Sequence, residues 1–290
     1  MKNMTPFEKQ CENNAVKQHR CIEKYPTIFH YTRYEKFEGI IKSRTFRLSN
    51  HLKSNDKTEG ILLINAVKCA VCQRIGTELF HSKKLDKKFD EAIHKLFDNP
   101  AYILSLTSKK DDKCLWDKYT DGGDGICFCI NAEKLYRKIF RESLPYDMYE
   151  MNYVDYRKES PQHRIIDLIV SWCLDDILLD AFESIDSIFE NLCACAVDYK
   201  DKDTWAHENE VRVTCFDIFK STQVKYDNNN REYIELSFND ENEINFDSLI
   251  SEIIIGPKCK HTKEEISQFL IQNGRGKLSN ALTISNLDKS

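Results

Sequence analysis

The sequence has few glycines and prolines, with 9 Gly and 6 Pro among 290 residues. This scarcity excludes collagen-like, linker-rich and low-complexity chains, because these depend on repeated glycine or proline. Hydrophobic residues make up 41% and charged residues 31% of the chain, which is ordinary for a globular protein and argues against disorder. At roughly 150 residues per domain, the length predicts two domains or one larger core with a helical insertion.

The sequence also lacks an excess of positive charge. The 42 Lys and Arg residues are outnumbered by 47 Asp and Glu residues, which gives a formal net charge of −5. Because proteins that bind nucleic-acid backbones usually carry a basic excess, the composition disfavours general nucleic-acid binding. No run approaches the ~18 apolar residues of a membrane span, and the first residues form no apolar signal-peptide core. We therefore expect a cytoplasmic protein with no membrane partner.

The 12 cysteines do not form a metal-binding pattern. A structural zinc site needs four convergent ligands, usually supplied as two spaced pairs, and Cys69-x2-Cys72 has no second pair. Without a signal peptide, reduced thiols are favoured over disulfides. We therefore expect neither a metal site nor a disulfide framework.

Predicted strands occur early and late in the chain, with helices between them, and this order favours an α+β fold. Residues 1–25 are predicted to form an N-terminal helix, and 26–290 a single domain with helical insertions at about 58–98 and 163–197. The stretch TIFHYT, residues 27–32, is typical of a strand. Thr32-x-x-Glu35 predicts a capping box that opens the next helix.

His30 is the first candidate binding residue. In the predicted strand, Phe29 and Tyr31 lie on one face, whereas His30 and Thr32 lie on the other. His30 would then end its strand beside a helix N-terminus, where free N–H groups and the helix dipole favour anionic groups. The alternative interpretation is an ordinary surface or core histidine.

The segment WAHENEVRV, residues 205–213, contains the second candidate. As a strand, it would place its valines on the core face and Glu208, Glu210 and Arg212 on the opposite face. Two neighbouring carboxylates repel, so that one would have a raised pKa while Arg212 keeps the other ionised. Such a pair suits glycosidic-bond chemistry, in which a carboxylate stabilises an oxocarbenium-like centre. A solvated, ion-paired sheet face is the alternative.

Aromatic residues form the third candidate. Trp116 and Tyr119 are spaced i, i+3 and would share one face of a short helix, either as core residues or as a stacking wall for a ring. Asn55 and Asp56 follow RLSN in a polar loop and are most simply part of a turn.

Several short motifs follow the order found in a bacterial family known as domain of unknown function 2971, which the chain resembles over about residues 26–260. The activity of that family is not established. The matching motifs are His30-Tyr31-Thr32, Arg47-Leu48-Ser49-Asn50 with Asn55-Asp56, Ser105-Leu106-Thr107, Leu115-Trp116-x-x-Tyr119, Gly125-Ile126-Cys127, Trp205-x-x-Glu208-x-Glu210-x-Arg212 and Glu252-Ile253-Ile254-Ile255-Gly256-Pro257.

A weaker resemblance is to ADP-ribosyltransferases of the diphtheria-toxin and poly-ADP-ribose-polymerase type. It rests on a strand that ends in His-x-Thr and is followed at once by a helix and a second strand. The resemblance implies an ADP-ribosyltransferase-like mixed-sheet core with NAD as substrate. It also implies that His30 holds the nicotinamide ribose, that Tyr119 stacks on nicotinamide, and that Glu210 or Glu208 polarises the ribose 2′-hydroxyl.

The residues and the resemblances lead to one functional hypothesis. The chain is expected to bind NAD and to break its nicotinamide–ribose bond, with a protein side chain, a nucleic-acid base or water as acceptor. At the level of the family, a role in phage defence or a toxin system is implied. The expected catalytic residues are Glu210, Glu208 and His30, and the expected NAD-binding residues are His30, Tyr31, Thr32, Trp116, Tyr119, Arg212, Asn55 and Asp56.

The alternative hypothesis is a non-catalytic domain that senses a nucleotide or interacts with a protein. In that case the 163–197 helical region would transmit the bound state to a partner. The catalytic hypothesis requires His30 and Glu210, which are far apart in sequence, to line one cleft that is already formed without ligand.

Overall fold

The computed structural model describes residues 21–141, 146–154, 192, 196–215, 223–238 and 244–287. Residues 1–20 of the predicted N-terminal helix and most of the predicted 163–197 helical region lie outside this part of the chain. Within it, α-helices combine with a mixed β-sheet, so the coarse fold class is confirmed. None of the described helices is long and apolar enough to cross a membrane.

The strands and helices are numbered in chain order. The strands are β1 (Thr27–Arg33), β2 (Thr45–Asn50), β3 (Tyr102–Thr107), β4 (Gly125–Asn131), β5 (Tyr146–Glu150), β6 (Asn152–Val154), β7 (Tyr199–Asp201), β8 (Glu210–Cys215), β9 (Lys225–Tyr226), β10 (Glu232–Ser237), β11 (Ile250–Ile255) and β12 (Leu282–Ile284). The helices are α1 (Tyr34–Ser43), α2 (Ile61–Ile75), α3 (Thr77–Ser82), α4 (Leu85–Asp98), α5 (Lys113–Tyr119), α6 (Ala132–Arg141), α7 (Lys202–Trp205), α8 (Phe246–Leu249), α9 (Lys263–Gln272) and α10 (Gly276–Ser279), with 3-10 turns at His51–Lys53 and Ala206–Glu208.

The main sheet has ten strands and opens at β3. Strand β8 pairs with β3 from Tyr102 to Thr107, β2 pairs with Tyr102 and Ile103, and β1 pairs with Thr107. Because a strand has two edges, β1 and β2 must share the edge opposite β8, one at each end. The sheet is therefore split between β1 and β2, next to Ser105.

One face of the sheet carries the apolar core. Leu104 and Leu106 of β3 pack into this core with fully buried phenylalanines. The rings of Phe46 and Phe128 lie edge to face with centroids 5.7 Å apart, and Phe246 stacks on Phe46 at 5.9 Å. Such aromatic pairs add stability beyond the apolar area they bury, so this face is a tightly packed apolar core.

The predicted helical insertion at 58–98 forms three helices, α2, α3 and α4, rather than the two pieces expected. The predicted break is at Gly76, which has a φ of 82°. A second break falls at Lys84, whose φ of 53° is left-handed and ends a helical run. The three helices pack on each other and against residues near β7, in an apolar cluster that includes Val67, Phe80, Phe89, Val197 and Tyr199.

The predicted capping box at Thr32 is wrong. Helix α1 begins at Tyr34 after Arg33, and no side chain caps its first turn. Thr32 instead belongs to β1, where it pairs with Ile126 of β4, and it is buried. The ladder between β1 and β4 continues through Arg33, so the strand runs directly into the helix and Thr32 cannot turn its side chain to a cap position.

Candidate functional site

A cavity of about 310 Å³ lies at the opening between β1 and β2. This volume is at the lower end of the range of about 300–1,000 Å³ that is typical of small-molecule sites. Its walls come from β1, β2, β3, α5, β8 and the loops before α2 and β8. The cavity thus brings together His30, Glu208 and Glu210, which are far apart in sequence.

His30 lies in the opening of the sheet. Its Nδ1 atom is 3.2 Å from the carbonyl oxygen of Ser105, and since a carbonyl oxygen can only accept, Nδ1 is the donor. Burial lowers the pKa of His30 in spite of the hydrogen bond to Ser105, which leaves the ring neutral near pH 7 and Nε2 with a free lone pair. Among the described residues, none hydrogen-bonds to Nε2.

Glu208 does not lie in a strand, as the sequence predicted. The chain forms α7 and then a 3-10 turn that ends at Glu208, and Asn209 follows with a φ of 43°. This left-handed residue turns the chain into β8, which begins at Glu210. Both carboxylates are nevertheless buried, with Glu208 3% and Glu210 2% exposed. The alternative of an open, solvated sheet face is therefore wrong.

The carboxylate of Glu208 is held through one of its two oxygens. Oε1 accepts hydrogen bonds from Nζ of Lys118 at 2.6 Å and from the hydroxyl of Tyr119 at 2.5 Å. The ammonium of Lys200 lies 3.9 Å from Oε2, and no described residue donates a hydrogen bond to this oxygen. Glu208 therefore has one anchored oxygen and one that is available to a ligand.

Glu210, in contrast, uses both oxygens within the protein. Oε1 accepts from Nε of Arg212 at 2.7 Å, and Oε2 accepts from Nζ of Lys200 at 2.8 Å and from Nη2 of Arg212 at 3.3 Å. Burial by itself would raise the pKa of Glu210, but Arg212 and Lys200 hold this pKa at about 2. Glu210 is therefore ionised and fully paired, and the raised carboxyl pKa that the sequence predicted is not found at Glu210.

Arg212 joins three separate segments. Besides Glu210, its guanidinium forms an ion pair with Glu59, in the loop before α2, and its Nη1 donates to the carbonyl of Val197 at 2.8 Å, shortly before β7. Arg212 is 1% exposed, so all of this pairing is sheltered from solvent. Arg212 thereby connects the loop before α2 and the segment before β7 to β8, which lines the cavity.

The two aromatic residues that were predicted as a wall have different positions. Tyr119 lines the cavity, and burial together with Glu208 raises the pKa of Tyr119, which keeps its hydroxyl protonated as a donor. Trp116 is not on the wall: its ring lies edge-on to Tyr31 at 4.9 Å, and its Nε1 donates to Asp111 at 2.8 Å. Trp116 belongs to a small apolar cluster between α5 and the sheet.

The wall next to the carboxylates is formed by Trp205. The ammonium of Lys118 lies 4.0 Å and that of Lys200 4.5 Å from the centroid of its ring. Cations at these distances from an indole are attracted by its π face. Trp205 therefore contacts the same two lysines that bind Glu208 and Glu210.

The remaining predicted residues divide into two groups. Tyr31, Asn55 and Asp56 line the cavity, although Asp56 also begins the helical insertion, because its Oδ1 accepts from the backbone N–H of Thr58 at 2.8 Å. Thr32 does not line it. The cavity thus contains every predicted site residue except Thr32 and Trp116.

Four residues of the site were not predicted from the sequence: Glu59, Lys118, Lys200 and Trp205. Trp205 lies three residues before Glu208, and Lys118 lies one residue before Tyr119. Both belong to motifs named above, and this closeness to predicted site residues was the available signal. Lys200, within YKDKD, is indistinguishable in sequence from a surface lysine. Among the residues that the structure describes, no group of three or more His, Cys, Asp or Glu side chains is placed to hold a metal ion.

Comparison with known proteins covers one part of the chain. Residues 115–213 match the model of a family described as "Protein of unknown function (DUF2971)", which supports the first resemblance. The matched segment runs from α5 to β8 and includes Tyr119, Glu208, Glu210 and Arg212. No curated protein and no solved structure matches the chain, so the resemblance to ADP-ribosyltransferases gains no support from these comparisons.

Proposed function

We propose that the cavity binds NAD through its nicotinamide ribose and that the protein breaks the nicotinamide–ribose bond. One observation carries this proposal: Nε2 of His30 and Oε2 of Glu208 are two hydrogen-bond acceptors in one cavity, and neither receives a hydrogen bond from the described residues. A ribose offers two adjacent hydroxyl donors. A ligand with this pair of hydroxyls would satisfy both acceptors at once.

The charge of the site supports cleavage of NAD rather than of an ordinary sugar glycoside. Glycosidic bonds break through an oxocarbenium-like transition state, which the open oxygen of Glu208 would stabilise electrostatically. An ordinary glycoside also needs a protonated acid for its leaving group, whereas Glu210 is ionised. Nicotinamide leaves NAD as a neutral molecule and needs no proton.

The contacts assign different roles to the two glutamates. Glu208 is the catalytic carboxylate in this proposal, because one of its oxygens faces the ligand, and Glu210 positions Arg212 and Lys200. The bond between C1′ and the ring nitrogen breaks, and its electron pair neutralises the charge on that nitrogen. With water as acceptor, a C1′–O bond forms and the products are nicotinamide, ADP-ribose and a proton.

The order of elements agrees with an ADP-ribosyltransferase-like core, since β1 with His30 is followed directly by α1 and β2. The same bond cleavage is equally compatible with transfer of ADP-ribose to a protein side chain or a nucleic-acid base. The role in phage defence stays a prediction that the site does not test.

A second function, nucleotide sensing without turnover, is favoured by the complete pairing of Glu210 and Arg212. Each is neutralised within the protein, so the site is charge-balanced before any ligand arrives. Arg212 also connects the cavity to the helical insertion through Glu59. In this case a bound nucleotide would alter the contact between Arg212 in the cavity and Glu59 in the helical insertion.

Release of nicotinamide from NAD tests the proposal. The wild-type protein should release it, and Glu208→Gln should lower the rate by about 10²–10³-fold, as removal of one electrostatic stabiliser does. Glu235→Gln is the matched control, since Glu235 pairs with Lys225 outside the cavity and its loss should leave the rate unchanged. NAD binding without release would support the sensing function, and the absence of both binding and release would contradict both functions.

A further inference from the structure

Lys200 is a buried lysine at the centre of the charged cluster, with a side chain that is 6% exposed. An ammonium in such a position is costly unless it is paired. Its Nζ lies 2.8 Å from Oε2 of Glu210 and 3.9 Å from Oε2 of Glu208. It is thus the cation that stands between the two carboxylates.

The charged cluster around Lys200 is balanced in charge. Glu59, Glu208 and Glu210 supply three carboxylates, and the three cations come from Lys118, Lys200 and Arg212. Arg212 is shared by Glu59 and Glu210, and Lys118 binds Oε1 of Glu208. Without Lys200, three carboxylates would share two cations, and a desolvated carboxylate in that situation takes up a proton.

We propose that Lys200 is a positioning residue that supplies the cation between Glu208 and Glu210 and, by binding Glu210, leaves Oε2 of Glu208 free for the ligand. This inference rests on the proposed function for the identity of that ligand. The charge balance itself does not depend on NAD.

Trp205 supports this arrangement. Its indole contacts the ammonium groups of both Lys118 and Lys200, and each lysine binds a different glutamate. The ring therefore contacts both cations while Lys118 binds Oε1 of Glu208 and Lys200 binds Oε2 of Glu210. A flexible side chain at this position would allow both lysines to approach Glu208.

Several titratable or charged groups surround Lys200. Tyr153 faces it from β6, because Tyr153 and Lys200 are register partners and the Tyr153 hydroxyl accepts from the N–H of Glu210 at 2.7 Å. Tyrosines, lysines and arginines keep their charge states between pH 3 and pH 7. The change in this interval therefore comes from the carboxylates and from His30 and His51, which line the same cavity. The groups are Glu208, Glu210, Arg212, Lys118, Tyr119, Tyr153, Asp201 and Glu59.

Thermal unfolding between pH 3 and pH 7 tests the inference without any need for activity. The folded-state pKa of Glu210 is about 2, below its unfolded value, so its stabilisation is present above the unfolded pKa and is lost as the pH falls towards 2. Lys200→Met should remove much of this stabilisation. Its loss of Tm should therefore stay near its largest value from pH 7 down to the unfolded pKa of about 4.3 and should shrink below that pH.

Three further variants complete the experiment. Lys200→Arg should recover most of the Tm at pH 7, and Lys225→Met, at an exposed ion pair, should cause a small shift. The double variant Lys200→Met/Glu210→Gln removes one charge of each sign and should be more stable at pH 7 than Lys200→Met alone. It also provides a measurable protein if Lys200→Met does not fold.

The acid limb of the pH profile for nicotinamide release should move up by about one pH unit or more in Lys200→Met, but not in Lys200→Arg. A loss of Tm that is equal at all pH values, or a double variant no more stable than the single one, would overturn the inference. If the wild-type protein releases no nicotinamide, the proposed catalysis fails and the unfolding data alone decide the role of Lys200.

Discussion

Strand β8 buries its two faces by opposite means. On one face Val211, Val213 and Cys215 enter the apolar core, as the alternation of the sequence predicted. On the other face Glu210 and Arg212 are buried to the same extent, but they are surrounded by charges. The apolar face is stabilised by removal of surface from water, whereas the charged face depends on every partner being present.

This difference connects stability to function. Buried ion pairs add little net stability compared with apolar residues of the same size, although removal of one partner is costly. The charged face is therefore not explained by stability alone. Its arrangement leaves one oxygen of Glu208 open in the cavity, and this is the feature on which the proposed chemistry depends.

The largest effect is expected from Arg212→Met. It leaves Glu59 and Glu210 without their shared cation and should lower the free energy of unfolding at pH 7 by about 3–5 kcal/mol. The loss should decrease towards pH 3, because the stabilisation of Glu210 is present above its unfolded pKa and disappears as the pH falls to its folded pKa of about 2.

Val213→Ala is the matched control from the other face of β8, with an expected loss on the order of 2 kcal/mol. This loss should be the same at both pH values, since no charge is involved. Urea unfolding at pH 7 and pH 3 measures both variants. If the loss of unfolding free energy depends on pH in the same way in Arg212→Met and Val213→Ala, the two faces of β8 are not stabilised by different means.

A smaller effect separates the two glutamates. Glu210→Gln should cost about 3 kcal/mol, because it breaks ion pairs with the buried Arg212 and Lys200. Glu208→Gln should cost about 1 kcal/mol, since the side chain of its partner Lys118 is 30% exposed and can be hydrated instead. The order should be reversed for activity: the rate of nicotinamide release per folded molecule should fall more in Glu208→Gln than in Glu210→Gln. Equal stability of the two variants would show that Glu208 is as fully paired as Glu210.

The smallest effect is a change in fluorescence. Trp205 lines the cavity, whereas Trp116 of α5 packs into the apolar cluster between that helix and the sheet. A titration with NAD should therefore change the emission of Trp205 and leave that of Trp116 unaltered. Trp205→Phe should therefore abolish most of the signal change, and Trp116→Phe should retain it. A full signal change in Trp205→Phe would place the ligand elsewhere.

Local sequence patterns were sufficient for most of the fold. The strand containing His30, the helix after it and the strand β11 with Ile253–Ile255 follow from alternation and from helical spacing. The turn at Asn209 was missed, because WAHENEV alternates like a strand and the left-handed residue is not visible in that pattern.

The candidate site could be predicted less well than the fold. Its cavity depends on β1 and β2 sharing one edge of β3, which is a long-range pairing that no periodicity encodes. Lys200 and Glu59 become part of the site through ion pairs with Glu210 and Arg212 of β8, which are far from them in sequence or hidden from any local pattern. The distinction between Glu208 and Glu210 depends on which oxygens are occupied, and this follows from side-chain contacts rather than from spacing.

The most direct test of the account is a crystal structure of the protein with a non-hydrolysable analogue of NAD. We expect the nicotinamide ribose to lie in the opening between β1 and β2, with one hydroxyl donating to Oε2 of Glu208 and another to Nε2 of His30. Glu210 should keep its bonds to Arg212 and Lys200 without touching the ligand. A ribose bound outside this cavity, or held by Glu210 instead of Glu208, would contradict the account.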